Sequence, residues 1–167
     1  MIPERKDKPL VICGFPGIGK SRFARYMKEN EHRDDILDLD SKPFKERDHD
    51  HPFQYKKEIE KVYHSGQYSY IFVSCHKEVR EYLHDWNIPY IIAMPEYDDK
   101  DAMWKSTRNE YMKRYLSRGD SAAFMQKIYD NWKGWMQMLY YDPAPKIMVH
   151  KWSYIDDIFN PVDDEGL

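Results

Sequence analysis

The chain has 167 residues, with 26 Lys and Arg against 29 Asp and Glu, and is 41% hydrophobic and 16% aromatic. That length suits one domain around one core, the apolar content excludes a disordered chain, and a net charge of −3 excludes any global attraction to a polyanion. The opening MIPERKDKPL has no apolar signal region and no apolar run is long enough to cross a bilayer, so the expectation is a soluble cytoplasmic protein with Cys13 and Cys75 reduced.

Pro9 to Cys13 (PLVIC) is short, rich in branched residues and stopped by Gly14, the pattern of a buried parallel strand. Ser21 to Asn30 then places Phe23, Tyr26 and Met27 at helical spacing. Ile36 to Asp40 (ILDLD) alternates apolar and acidic residues and runs into the turn signal Ser41-Lys42-Pro43, which predicts a second strand with carboxylates near its end. After the basic segment KPFKERDHDHP, a helix is expected from Pro52, which suits a first turn, to about His64, with Gly66 ending it.

Tyr70 to Cys75 predicts a third strand, followed by a helical run through Val79, Tyr82, Leu83 and Trp86. Ile88 to Met94 predicts a fourth strand, about Asp99 to Arg118 a long helix, Gly119 a break, and Ser121 to about Tyr141 another helix. On the latter, Trp132, Trp135, Met136 and Leu139 form a stripe best read as core packing. Lys146 to His150 supplies a fifth strand and Tyr154 to Phe159 a short helix, while the tail PVDDEGL reads as loose.

Strands alternating with helices imply right-handed βαβ units, and hence a three-layer α/β domain over residues 1–167: a five-stranded parallel sheet flanked by helices. Ligands bind such sheets at the carboxyl ends of the strands, where Gly14 to Ser21, Asp38, Asp40 and Ser74 to His76 would all arrive.

Gly14-Phe15-Pro16-Gly17-Ile18-Gly19-Lys20-Ser21 satisfies G-x-x-x-x-G-K-[ST] between a strand and a helix, the context that motif requires. Its glycines let backbone amides curl toward phosphate at a helix N-terminus; Lys20 would reach the β and γ phosphates of ATP, Ser21 would ligate Mg²⁺, and Arg22 would flank them. Asp38 and Asp40 share one face of their strand. Asp40, nearest the rim, suits a base for a hydroxyl acceptor, and Asp38 a holder of Mg²⁺-bound water; the alternative is that they cap or solvate the strand end. The third strand ends in Ser74 and His76 where a Walker B acid would stand, which argues against motors and switches.

Arg108, Arg114 and Arg118 could close as a lid over about 99–120, with Arg114 and Arg118 on one helical face; the alternative is a solvated face balanced by Glu110 and Asp120. The stretch of about 42–66 is the candidate acceptor region, where Lys42, Phe44, Lys45, Arg47, Phe53 and Tyr55 interleave basic groups with aromatics that could receive a base; a solvated loop is the plainer reading. His49-Asp50-His51 lacks further ligands at metal-binding spacing.

The combination GFPGIGKS, LDLDS, FVSCHKEVR and YMKRYLSRG resembles a group of small phage-type P-loop kinases. The D-x-D looks more broadly like shikimate and gluconate kinases, and a single Asp there is similar to polynucleotide kinases. Within the phage-type group the likeness is to 5-hydroxymethyluracil DNA kinases, which implies ATP and Mg²⁺ at Lys20 and Ser21, Asp40 activating a hydroxymethyl group in DNA, and Arg114 or Arg118 in the lid. Arg47 is the one arginine between Lys42 and Gly66, fewer than nucleoside monophosphate kinases use on an acceptor phosphate. Two other readings stand beside this one: a kinase of free nucleosides or nucleotides, and a non-catalytic ATP-binding regulator or slow ATPase partner.

Overall fold

In a computed structural model that describes residues 8–41 and 51–158, and the side chains of all of these but 51–53, the five apolar runs become five parallel strands. They are β1 (Leu10–Gly14), β2 (Ile36–Asp38), β3 (Tyr70–Ser74), β4 (Tyr90–Pro95) and β5 (Lys146–Val149), in the order β2-β3-β1-β4-β5. The helices are α1 (Lys20–Asn30), α2 (His51–Tyr63), α3 (Lys77–Asp85), α4 (Trp104–Ser117), α5 (Ala122–Tyr141) and α6 (Ile155–Ile158). The α/β class and the five-stranded, all-parallel sheet flanked by helices are therefore as expected. The tail 161–167 lies outside the described residues.

The chain leaves β1 for the β2 edge, returns through β3, and crosses to β4 on the other side of β1. This reversal puts the carboxyl end of β1 at the switch point of an open α/β sheet. Register pairs Gly14 with Ser74 on one side and with Ala93 on the other, so the residue that opens the glycine loop is flanked by both neighbouring strands.

Near-continuous apolar character suits strands covered on both faces. Val11, Ile12, Cys13, Ile71, Phe72, Val73, Ile92, Ala93 and Met94 are all at most 1% exposed. Phe23 of α1 meets Phe72 edge to face at 5.8 Å, and Trp132, Met136 and Leu139 of α5 are buried, which makes that stripe core as read from its period.

Boundaries moved where side chains or caps competed for the backbone. β4 begins at Tyr90 because the Ile88 amide donates to Leu83 O and the Asn87 amide to His84 O, with Asn87 at φ 54°: a Schellman end to α3. α4 begins at Trp104 because the carboxylates of Asp98 and Asp101 accept from the Lys100 and Met103 amides, each at 2.9 Å, holding that stretch in turns. No described helix is long and apolar enough to cross a membrane.

A buried ion pair fastens α3 to the α5–β5 connection. Arg80 donates to Asp142 at 2.6 Å and to Cys75 O at 3.0 Å, Tyr90 donates its hydroxyl to the same carboxylate, and the Arg80 and Asp142 side chains are 8% and 6% exposed. Burial works against the Asp142 charge, yet the Ala144 amide, Arg80 and the Tyr90 hydroxyl outweigh it and hold the pKa below the usual carboxylate value. Stability drawn from this carboxylate is thus present above about pH 4 and is lost as pH falls through its lowered pKa. Arg80→Met strands the carboxylate and is expected to cost about 3 to 5 kcal/mol in urea unfolding at pH 7. A midpoint equal to wild type would contradict that role.

Candidate functional site

The glycine loop leaves β1 and enters α1 at the carboxyl rim of the sheet. Gly17 and Gly19 adopt φ of 85° and 106°, left-handed values that β-carbons resist. Space is short as well: a Cβ on Gly17 would lie 2.9 Å from the Tyr115 ring, and one on Gly19 3.1 Å from Tyr154 Cβ.

The loop's carbonyls are taken by built-in donors. Tyr115 donates its hydroxyl to Pro16 O at 2.7 Å, Arg114 donates to Gly17 O at 2.8 Å, and the Ile155 amide donates to Ile18 O at 2.9 Å. In a trans peptide each carbonyl opposes the next residue's amide. The Gly17 and Gly19 amides are therefore turned away from these clamps, and the Ile18 amide closes the turn on Phe15 O. Gly19 caps α1 without a side-chain bond, and among the described residues no protein acceptor takes the amides of Gly17, Gly19, Lys20 or Ser21. Amides without a protein acceptor at a helix N-terminus are the chemistry of an anion site. Lys20 curls back so that Nζ donates to Gly14 O at 2.8 Å.

Arg114 is a hub. Besides Gly17 O it donates to Lys151 O at 2.9 Å and Ser153 O at 2.6 Å, and its guanidinium lies between the rings of Tyr111 (4.3 Å) and Tyr154 (4.0 Å). Its donors thus serve the loop and the β5–α6 connection. Arg118 turns to an ion pair with Asp120, and Glu110 pairs with Lys113, the balanced surface that the charge pattern also allowed. Arg108 lies over Trp104 and Tyr129. Exposed Arg22 stacks over Tyr154 at 4.4 Å and pairs with Asp156 at 3.2 Å. Residues Lys151 to Asp156, to which the sequence assigned no part in the site, thus buttress the loop together with Arg114 and Tyr115.

On the β2–β3 side, β2 ends at Asp38, two residues before the expected Asp40. The Leu39 amide still donates to Phe72 O at 2.9 Å, but Tyr55 of α2 then enters: its hydroxyl donates to Leu39 O at 2.6 Å and accepts from the Ser74 amide at 3.0 Å. Tyr55 is 1% exposed, so it is a buried strut and not a platform for a base. Ser74 Oγ and His76 Nδ1 lie 2.9 Å apart at the same rim, with His76 exposed.

Asp38 is partly buried and Asp40 exposed. Desolvation raises the Asp38 pKa, nearby Lys20 lowers it and Asp40 raises it, which places Lys20 and both carboxylates within one electrostatic neighbourhood. Lys42, Phe44, Lys45, Arg47 and His49 lie outside the described residues, as do the side chains of His51 and Phe53.

The described residues contain no group of three or more His, Cys, Asp or Glu that could hold a metal. A serine hydroxyl such as exposed Ser21 and a carboxylate such as partly buried Asp38 are the kinds of oxygen that Mg²⁺, a hard cation, takes alongside waters and phosphates. No family model matches the chain, and no curated protein matches it.

Asp38 gives this neighbourhood a thermodynamic signature. A carboxyl whose folded pKa is raised favours the folded state when protonated, so its ionisation costs stability as pH rises through that value. Without ligand, Asp38→Asn is expected to raise the thermal midpoint at pH 7, and the advantage should shrink toward pH 4. A midpoint lowered equally at both pH values would show that the charge is not strained.

Proposed function

We propose that this protein is a P-loop kinase that transfers the γ-phosphate of ATP to a hydroxyl acceptor, namely the hydroxymethyl group of 5-hydroxymethyluracil in DNA, in phage DNA hypermodification. The observation that carries the phosphate part is the glycine loop: its carbonyls are taken by Tyr115, Arg114 and the Ile155 amide, and its amides are left at the α1 N-terminus with Lys20. The hydroxyl part rests on Asp40 and Asp38 at the neighbouring strand end. The choice of 5-hydroxymethyluracil rests on the resemblance of GFPGIGKS, LDLDS, FVSCHKEVR and YMKRYLSRG to those kinases.

In this reading the amides of Gly17, Gly19, Lys20 and Ser21 cradle phosphate oxygens, and Lys20 leaves Gly14 O to neutralise the β and γ phosphates. Gly14, Pro16, Ile18 and Arg22 shape that cradle. Mg²⁺, when bound with the nucleotide, offsets phosphate charge; Ser21 would hold it directly and Asp38 through water. Asp40 takes the acceptor's proton as the acceptor's oxygen bonds to the γ-phosphorus and the bond from that phosphorus to the β–γ bridging oxygen breaks, with ADP as the leaving group.

Arg114 acts by fixing the loop, and Arg118 would leave Asp120 to meet developing charge. Ser74, His76, Lys42, Phe44 and Arg47 are the acceptor's proposed contacts, and a base in duplex DNA would have to leave the stack to reach them. Binding to DNA would weaken with salt.

The test supplies labelled ATP with plain DNA, hydroxymethyluracil DNA, or a panel of free nucleosides and nucleotides. Label is expected in the modified DNA alone, lost in Lys20→Met and reduced about 100-fold or more in Asp40→Asn. Transfer only to free compounds would move the acceptor to small molecules. No transfer to any of them, with ATP still bound, would sink the kinase reading.

A further inference from the structure

The register of β2 on β3 pairs Asp38 with Phe72, which sets Leu39 opposite Val73. The Leu39 amide donates to Phe72 O, so in a parallel ladder the next rung would run from the Ser74 amide to Leu39 O. That rung is broken. The Tyr55 hydroxyl stands inside it, accepting from Ser74 N at 3.0 Å and donating to Leu39 O at 2.6 Å. Two such bonds in series, bent at a hydroxyl oxygen, span more than one direct rung of about 2.9 Å. The strands therefore part at the carboxyl rim, directly before Asp40 on one side and beside His76 on the other.

We infer that Tyr55 is a positioning residue: its hydroxyl wedges β2 from β3 and so holds Asp40 and Ser74 apart at the width an acceptor hydroxyl needs. The inference rests on the kinase reading and deepens it. A tyrosine hydroxyl donates and accepts at once, so it can open the ladder without orphaning either backbone group. With Tyr55 1% exposed, water has poor access to take over that role. Tyr55 also belongs to α2, so the wedge ties the acceptor region to the strand end that bears the proposed base. Phenylalanine would keep the ring but leave Leu39 O and Ser74 N to approach each other or to go unpaired.

The experiment compares wild type, Tyr55→Phe, Asp40→Asn and the double variant, well below their unfolding temperatures. It measures nucleotide affinity, transfer to the best acceptor, and amide exchange at Ser74. Tyr55→Phe is expected to keep nucleotide affinity within about twofold, to lose at least tenfold in kcat with little change in acceptor KM, and to alter Ser74 exchange. Because Tyr55 acts through Asp40, the double variant should be no slower than Asp40→Asn alone.

Wild-type kcat in Tyr55→Phe, or losses that multiply in the double variant, would overturn the inference. Failure of the kinase reading looks different, because wild type itself then transfers to no acceptor, and the inference falls with it. If Tyr55→Phe does not fold, fluorotyrosine at position 55 keeps the shape, weakens the hydroxyl as an acceptor, and should lower kcat with nucleotide affinity intact; an unchanged kcat would again overturn it.

Discussion

The carbonyls of the glycine loop need donors, and meeting that need ties the loop to distant parts of the chain. The carbonyls of Pro16, Gly17 and Ile18 are taken by Tyr115, Arg114 and Ile155, residues 99, 97 and 137 positions further along the chain. These donors come from α4 and α6, two elements that follow different strands. The helices after β4 and β5 therefore do more than cover the sheet. They hold the backbone of the first loop in a conformation that isolated glycines would sample only briefly.

Aromatic residues supply the stiffness of that arrangement. Phe15, Tyr111 and Trp132 meet edge to face or tilted at 5.2 to 6.2 Å beneath the loop, and the Arg114 guanidinium is held between Tyr111 and Tyr154. A planar cation between two rings has little freedom left to lose when it bonds carbonyls. Lysine at this position could not meet carbonyls of Gly17, Lys151 and Ser153 with a flat fork of donors. Part of the aromatic excess thus serves the packing around the loop.

The five strands and the glycine loop were legible because each is a local pattern: a short branched run stopped by glycine, or fixed residues at fixed spacing. The long α4 and α5 helices and the buried stripe of Trp132, Met136 and Leu139 were legible for the same reason, since helical period is local. Boundaries slipped where backbone groups found unusual partners, as at Ile88 and Leu39. The partners of Arg114 were not legible, because the backbone carbonyls of Gly17, Lys151 and Ser153 carry no side-chain signature. Tyr55 was misread as a platform for a base, since composition cannot distinguish an aromatic on a groove from one whose hydroxyl is spent inside a sheet.

The two sides of the rim are built on opposite principles, and that difference bears on how such a site would work. On the β1 side the ladder continues to its end, with the Phe15 amide still donating to Ala93 O, and the loop beyond it is clamped from several directions. On the β2 side the ladder is interrupted at Ser74 and depends on one phenol from a helix. A phosphate cradle gains from rigidity, because its amides must already be aimed when charge develops. An acceptor site must also admit and release a second molecule. A strand end held through one buried hydroxyl, on a helix of the proposed acceptor region, is fastened independently of the loop, so an acceptor binding there would not have to loosen a nucleotide at the other side.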